Sequence, residues 1–522
     1  MAEILRTNLF AELFSPDRDQ RVAILCGQQQ ITYAGLRELT VGVAEALNAE
    51  GLVAGDRVAL LLADSPEFIA SFVAIISLGA IAVPINLALR PEEQLFIVND
   101  CGARAAIVEG ESAATLFEAV TTAGDLKVVF TVRTDKPFKS NFLRVAPLPD
   151  APRQPLPVFP APGDSNSDAF ILYTSGSTGQ PKGAVHSQAD IFYTNRTYGS
   201  EVLQLRDGDR LFSSSRLPFA YGLGNSFTFP LLNGHTTILC REKPAPDVVS
   251  NVFTNYRPTI FFGVPVAYRM LLEHHRNVAP LDPSSLRLCI SAGEALPAQL
   301  GQDWQRTFGV EVLDGIGSTE MLHMFMSNHS GEVRYGSSGR LLEGYQARLI
   351  DHEGKPTPTG QEGNLWIFGH SAASRYWQRP EISAETFVDR WVRTGDLYAS
   401  DADGFWWHMG RSDDCFKPTG QWVSPIEVES VLLKHQSVRA AAVVEGFDEA
   451  RLSCVCAFIV STADTEKIEP ELRELCRQAL PRFKQPRQYL FVPELPYTAT
   501  GKVQRFKLRE QLRSQAVAAG DK

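Results

Sequence analysis

From Tyr173 to Gly183 the chain reads Tyr-Thr-Ser-Gly-Ser-Thr-Gly-Gln-Pro-Lys-Gly, immediately after an apolar run. Such a loop can hold a polyphosphate. Its glycines, Gly176 and Gly179 among them, let the backbone approach phosphate oxygens. Thr174, Ser175, Ser177 and Thr178 supply hydroxyl and N–H donors, and Lys182 supplies compensating charge. The pattern is not G-x-x-x-x-G-K-[ST], because Pro181 precedes the lysine and Gly183 follows it. A second candidate is Glu320, which follows the small hydroxyl residues Ser318 and Thr319. It is a hard oxygen ligand suited to Mg²⁺ held against phosphates. The plainer alternative makes Glu320 the first-turn acid of a helix over 321–326. A third candidate is Lys502 in Pro496-Tyr-Thr-Ala-Thr-Gly-Lys502, where a glycine-hinged loop presents a mobile positive charge. Between Pro481 and Arg513 eight basic residues face two acidic ones, a surface fit to meet anionic ligands.

Two further segments fit a flat ring. Pro218-Phe-Ala-Tyr-Gly-Leu-Gly-Asn225 sets aromatic residues on either side of a small alanine. Met321-Leu-His-Met-Phe-Met326 holds three of the six methionines of the chain. Thioether sulfur and aromatic edges pack well against ring faces, although the same composition also serves an ordinary core.

These residues need a scaffold, and 522 residues are too many for one ordinary core. Val58-Ala-Leu-Leu-Leu62 and Ala105-Ala-Ile-Val108 predict buried parallel strands, with a helix over Tyr33–Glu50 between such segments. The uncharged run Phe68–Leu87 is long enough to cross a bilayer. However, Ser65-Pro66-Glu67 reads as a helix start and Gly79 as a stop, which predicts a buried helix followed by a strand over 80–85. Seven prolines between Pro147 and Pro162 predict a linker or surface crossing. Ala169–Tyr173, Thr237–Cys240, Thr259–Phe262 and Leu286–Ser291 predict further strands, and 340–410 a glycine-punctuated antiparallel, barrel-like piece. Arg439–Glu445 and Cys454–Val460 belong to a small α/β tail. The fold class is therefore α/β, with layered α/β subdomains and a small β barrel-like piece in a large N-terminal domain, and a small, mobile C-terminal α/β domain. The expected bounds are 1–410 for the large domain, 411–413 for a hinge and 414–522 for the small domain.

Composition narrows the partners. Fifty basic against sixty acidic residues leave a net charge of −10, which argues against nucleic acid. The start, Met1-Ala-Glu-Ile-Leu-Arg, lacks a signal-peptide pattern, and no membrane association is expected. The eight cysteines form no C-x-x-C pair, so a cytoplasmic, reducing compartment is expected.

The loop at Thr174–Gly183 resembles the phosphate-binding signature of the ANL superfamily of adenylate-forming enzymes. Other segments resemble its remaining motifs in family order: Ser291–Pro297, Asp314-Gly-Ile-Gly-Ser-Thr-Glu320, Arg393-Thr-Gly-Asp396, Gly410-Arg-Ser-Asp413 and Pro496–Lys502. By that resemblance Gly293, Glu294 and Ala295 hold one face of adenine. Asp314, Gly315, Ile316, Gly317, Ser318 and Thr319 close the nucleotide site, Asp396 takes the ribose hydroxyls, and Arg411 contacts the nucleotide. Thr174, Glu320, His323 and Lys502 become catalytic, Asp413 the hinge, and Gly420 and Trp422 the lining of a coenzyme A tunnel.

The wording Phe219–Asn225 followed by Asp314–His323 is similar to bacterial benzoate-CoA ligases and their anthranilate- and hydroxybenzoate-activating relatives. This implies an aryl pocket of Phe219, Ala220, Tyr221, Gly222, Gly317, His323 and Met324, with His323 near the carboxylate or an ortho substituent. The expected activity is ATP- and Mg²⁺-dependent formation of an aroyl-AMP from a small aromatic acid, followed by transfer to coenzyme A. A stand-alone enzyme loading a separate acyl carrier protein is the alternative, and a homodimer is the expected assembly if the chain oligomerises. A nucleotide sensor without catalysis is disfavoured because Lys502, Glu320 and the hydroxyl loop are all present.

Overall fold

The computed structural model describes residues 8–110, 125–134, 143–149, 165–175, 181–351, 353–418, 423–448, 452–462, 464–497 and 503–520. Gly176, Ser177, Thr178, Gly179, Gly420, Trp422 and Lys502 lie outside the described residues, as does most of the proline-rich stretch after Pro147.

Two large sheets carry the first three hundred residues. One has eight strands, with Arg57–Leu61, Ile81–Pro84, Ala103–Glu109 and Val128–Val132 parallel at its centre. Asp168–Ser175 joins that parallel set and then turns back antiparallel as Pro181–Ser187. The other has nine strands. Its parallel run is Val22–Cys26, Thr236–Leu239, Arg210–Ser213, Ile260–Gly263, Leu288–Ser291 and Val312–Gly317, and Met324–Ser327 adds on antiparallel. The predicted strands fall on these elements because each is a short apolar run buried on both faces.

The uncharged 68–87 segment is a buried helix, Pro66–Ser77, followed by the strand Ile81–Pro84. The Ser65 hydroxyl accepts from the Phe68 N–H, and Gly79 stops the helix at φ +73°. Among the described residues no helix is long and apolar enough to cross a membrane. The helix offered as the plainer setting for Glu320 does not form. Thr319–Met321 makes one 3₁₀ turn, Leu322 takes φ +64°, and Met324–Ser327 pairs as a strand against Val312–Gly317.

The 340–411 region is a five-stranded antiparallel sheet of Gln346–Ile350, Gly363–Phe368, Phe387–Val388, Trp391–Ser400 and Trp406–Arg411. Beyond it, Val438–Phe447, Ser453–Ser461 and Gln488–Phe491 make a three-stranded sheet with its own two-sided core. Pro425–Leu432 and Thr465–Ala479 cover one face, and Leu508 of Arg505–Gly520 packs on the other. All eight cysteines are free thiols.

A desolvated charge cluster ties this last unit together. Arg505 donates to both carboxylate oxygens of Glu429 at 2.9 and 2.8 Å, and its other guanidinium nitrogen reaches Asp414 at 3.5 Å. Arg509 also donates to Asp414, and Glu429 accepts the Val443 N–H at 2.7 Å. Removing one partner strands a buried charge, which is worse than replacing the pair by apolar groups. Glu429→Ala should therefore cost about 3–5 kcal/mol in denaturant unfolding of the C-terminal unit. Glu429→Leu combined with Arg505→Leu should recover most of that loss, and equal losses in the single and double variants would contradict the cluster's role.

Candidate active site

The hairpin of Asp168–Ser175 and Pro181–Ser187 sets Thr174 directly across from Lys182. Gly183 is required there by packing. A Cβ would lie 2.5 Å from the Ile171 side chain and 3.0 Å from the Tyr173 ring. Lys182 points out of this hairpin, and its Nζ donates to the Tyr376 hydroxyl at 2.8 Å. That hydroxyl in turn donates to Oε1 of Glu320 at 2.6 Å. Two residues singled out by the sequence are thus joined through a third that was not. Tyr376 sits on a two-residue strand, Arg375–Tyr376, which pairs with the returning arm of the hairpin. Burial, and then the neighbouring Glu320 carboxylate, push the Tyr376 phenol above its ordinary range. It therefore remains a neutral donor. Burial pulls the Lys182 ammonium down, with Glu320 partly offsetting it.

Glu320 is fixed from behind. The Ser318 hydroxyl accepts from the Met321 N–H at 3.2 Å, and the Glu320 carbonyl accepts from the Ala373 N–H at 2.7 Å. Nε2 of buried His186 lies 2.8 Å from the Thr319 carbonyl, and Nδ1 lies 2.8 Å from Asp190. Asp190 also accepts the N–H and hydroxyl of Ser187, which closes the start of its own helix. His186 and Asp190 were missed by sequence reasoning, and only their i, i+4 spacing marked them.

On the far side, Asp396 and Arg411 are cross-strand partners, with Nη1 to Oδ1 at 3.1 Å. Arg411 also donates to the Thr394 carbonyl at 2.9 Å. Gly395, at φ +75°, leaves room for that guanidinium, because a Cβ would lie 2.8 Å from Nη2. Burial opposes the Arg411 charge, but Asp396, exposed Asp413 and Glu320 outweigh it and raise its pKa. The Arg411 charge pairs directly with the Asp396 carboxylate, 3.1 Å away.

Behind this face the groups are neutral. Asp314 is buried at the end of its strand, and burial pushes its carboxyl up to about 8. Oδ2 accepts the Leu296 N–H at 3.3 Å, while Oδ1 has no hydrogen-bond partner. His323 is 3% exposed, and burial pulls its imidazole down to about 3. It is therefore an uncharged ring, packed among Phe229, Tyr198 and Tyr221 with centroids at 4.6, 4.9 and 5.6 Å. Tyr221 is half-buried, and its hydroxyl lies 3.3 Å from the carbonyls of Gly263 and Ile290. Met324 is buried in the same cluster as Tyr221 and Ile316. Gly317 passes so close that a Cβ would meet the His323 carbonyl at 2.5 Å, and at Gly315 one would meet the Met324 Cε at 2.6 Å. Tyr221, Gly317, His323 and Met324 are thus brought together. Ala220 packs instead with the core around Leu217 and Leu223, half-buried Phe219 caps the turn Ala220–Leu223, and Gly222 is demanded by the Arg216 carbonyl, 2.0 Å from where its Cβ would stand.

The arrangement offers the Lys182 and Arg411 cations, hydroxyls and the Glu320 and Asp396 carboxylates to a phosphate-bearing ligand, and an uncharged cluster of rings around His323. Among the described residues no group of three or more His, Cys, Asp or Glu side chains could hold a metal ion.

A model of AMP-binding enzymes matches residues 15–377, and a model of the AMP-binding enzyme C-terminal domain matches residues 427–502. The benzoate–CoA ligase of Thauera aromatica is 41% identical over 466 residues, 88% of this chain and 86% of that protein. The 4-hydroxybenzoate–CoA/benzoate–CoA ligase of Rhodopseudomonas palustris is 35% identical over 498 residues, 94% of this chain and 91% of the other. The crystal structure of the anthranilate CoA ligase AuaEII in complex with anthranoyl-AMP is similar at a TM-score of 0.89 and 37% identity, covering 98% of both chains.

Asp314 gives the site a measurable pH signature. Its pKa is about 8 in the folded chain against an ordinary 3.8, so the stability it contributes is complete below about pH 4 and is lost as the pH rises through about 8. Asp314→Asn removes that titration. Its melting temperature should gain a few degrees on the wild type between about pH 5 and pH 9. Parallel melting curves across that window would rule the effect out.

Proposed function

The chain belongs to the AMP-binding enzyme family, and we propose that it activates a benzoate-type acid as an aroyl-AMP and transfers the aroyl group to coenzyme A. What supports this reading is the link Lys182–Tyr376–Glu320, the cross-strand pair Asp396–Arg411, and the uncharged cluster of Tyr221, His323 and Met324. In the first step a carboxylate oxygen attacks the α-phosphorus of ATP, and the bond to pyrophosphate breaks. Thr174, Ser175, the segment Gly176–Gly179 and Lys182 hold the phosphates. Tyr376 keeps Lys182 and Glu320 at fixed separation, so the charges are in place before the reaction begins. Glu320 is the residue that would hold Mg²⁺, which supplies charge neutralisation on the phosphate oxygens when bound. Asp396 and Arg411 take the ribose, and Gly293–Ala295 with Asp314–Thr319 enclose the base. Lys502 offsets negative charge as it moves from the attacking carboxylate to the leaving pyrophosphate.

In the second step the thiolate of coenzyme A attacks the acyl carbon and AMP leaves. The C-terminal domain rotates about Asp413 between the steps, withdrawing Lys502 and bringing Gly420 and Trp422 to the thiol's path. One loop cannot serve both half-reactions in one place, which gives the movement its physical motive. We place the enzyme in the cytoplasm, where ATP, coenzyme A and free thiols coexist, in keeping with eight unpaired cysteines.

A pyrophosphate-release screen over benzoate, 2-aminobenzoate, 2- and 4-hydroxybenzoate, phenylacetate and short fatty acids tests the substrate class. The benzoates should lead, and a preference for fatty acids would sink the aromatic reading while leaving adenylation standing. AMP release with coenzyme A compared with candidate carrier proteins decides the acceptor.

Two variants test the roles. Lys502→Ala should lower adenylation about 10²–10³-fold yet spare thioester formation from synthetic aroyl-AMP. Equal losses in both half-reactions would refute the division of labour. Tyr376→Phe should lower pyrophosphate release about tenfold and raise the Mg²⁺ concentration needed for half-maximal rate, whereas wild-type behaviour would show that the phenol is only packing.

A further inference from the structure

The hairpin that carries Thr174 and Lys182 is held by the segment 375–379, whose residues reach several places in turn. Arg375 donates to the two carboxylate oxygens of Asp168, at 3.1 and 2.6 Å, where the outgoing arm begins. Tyr376 bridges Lys182 and Glu320. The Trp377 backbone N–H donates to the Gly183 carbonyl of the returning arm at 2.7 Å. Gln378 then takes φ +51°, a conformation that a residue with a side chain keeps only where its surroundings fix it.

On either side of that turn, Trp377 and Arg379 meet the same residue, Asp100, the last of the helix Pro91–Asp100. The Asp100 side chain is 9% exposed. Its Oδ1 accepts from Arg379 Nη2 at 2.6 Å, and its Oδ2 accepts the Tyr173 hydroxyl at 2.7 Å. The Asp100 carbonyl accepts from Trp377 Nε1 at 3.2 Å. Tyr173 immediately precedes Thr174 on the outgoing arm and stands directly across from Gly183. Burial pushes its phenol above the ordinary range, so it remains a donor. The contacts close a ring. The outgoing arm holds Asp100, Asp100 holds residues 377 and 379, Trp377 holds the returning arm, and the two arms pair with each other. Opening it at Asp100 releases the segment that follows Tyr376 from the arm that carries Thr174.

We propose that Asp100 is a positioning residue for adenylation: by tying Tyr173 to Trp377 and Arg379 it fixes where Tyr376 stands, and through that phenol the places of Lys182 and Glu320. This rests on the proposed two-step reaction and deepens it. None of the groups joined at Asp100 is one that the proposed reaction places on ATP, so the effect is exerted through geometry. Charges that act by being in place beforehand lose rate steeply when they shift. The dependence belongs to one half-reaction. Displacing pyrophosphate uses Lys182 and Glu320, whereas attack of the thiolate on aroyl-AMP has no pyrophosphate to hold.

The test compares the two half-reactions in the full chain: pyrophosphate release from ATP with the best of the acids screened above, and thioester formation from synthetic aroyl-AMP and coenzyme A. Asp100→Asn nearly keeps the shape and should lower kcat for pyrophosphate release about tenfold, the effect of one charge-assisted hydrogen bond. Thioester formation should stay within about twofold of the wild type. Tyr173→Phe removes one hydroxyl and keeps the ring. It should show the same split at about threefold or more, and it decides the matter if Asp100→Asn does not fold. Adding Asp100→Asn to Tyr376→Phe should slow release by less than about threefold further, because both act through one phenol. Equal losses in both half-reactions would mark a merely structural residue and overturn the inference. Wild-type rates in both single variants, or full additivity with Tyr376→Phe, would overturn it as well. A wild type that releases pyrophosphate with none of the acids would overturn the proposed function and this inference with it.

Discussion

One hydroxyl group holds the site together. The phenol of Tyr376 accepts from Lys182 and donates to Glu320, and so links the eight-stranded sheet to the turn leaving the nine-stranded one. Without that link a lysine and a glutamate on separate sheets would meet as an exposed ion pair, weak and loosely oriented. With it, both charges keep fixed places beside the phosphate hairpin while neither neutralises the other by direct contact. The rest of the scaffold serves this spacing. The two-residue strand at Arg375–Tyr376 exists by pairing with the hairpin, and buried His186 with Asp190 anchors the carbonyl that precedes Glu320.

Burial then sorts charge from neutrality across the site. Arg411 keeps its charge because the Asp396 carboxylate faces it across adjacent strands. Asp314 and His323 have no such partner, and desolvation drives both toward their uncharged forms. A ligand spanning the site therefore meets a charged end suited to phosphate and an uncharged end suited to a ring. That polarity follows from which carboxylates and nitrogens were given partners.

Much of this was legible in the residues themselves. Lys182 stood out because a lysine beside glycines and small hydroxyls suits a phosphate. Glu320 stood out with a plainer helix-start reading beside it, and Asp396 was reached only through the family resemblance. The buried strands stood out as short apolar runs between turn residues. Tyr376 did not, because a two-residue strand has no periodicity and its role exists only once two sheets are packed. Asp100 was hidden for a related reason: it joins Tyr173 to Arg379, 73 and 279 residues away in sequence. The alternative helix over 321–326 failed because Leu322 adopts φ +64° and the following residues find a strand partner in Val312–Gly317, a tertiary choice that local propensity does not contain. At Gly183 and Gly222 the requirement is space, which only the packed neighbours reveal: Ile171 and Tyr173 crowd the first, and the Arg216 carbonyl the second.

The same distinction between buried and exposed charge bears on how the C-terminal unit can move. Inside it, Arg505, Glu429, Asp414 and Arg509 form a desolvated network that resists breaking, since each lost partner leaves a charge without water. Asp414 belongs to that network while the adjacent Asp413 is exposed. Between the units the hydroxyl of buried Ser424 donates to the Met409 carbonyl, and half-buried Arg269 donates to the Arg439 carbonyl. Polar contacts at a partly exposed surface exchange for water at little cost. A proposed rotation thus has a cohesive body on one side of Asp413 and must exchange the Ser424 bond on the other. The place where the backbone must yield is set by where the buried charges stop.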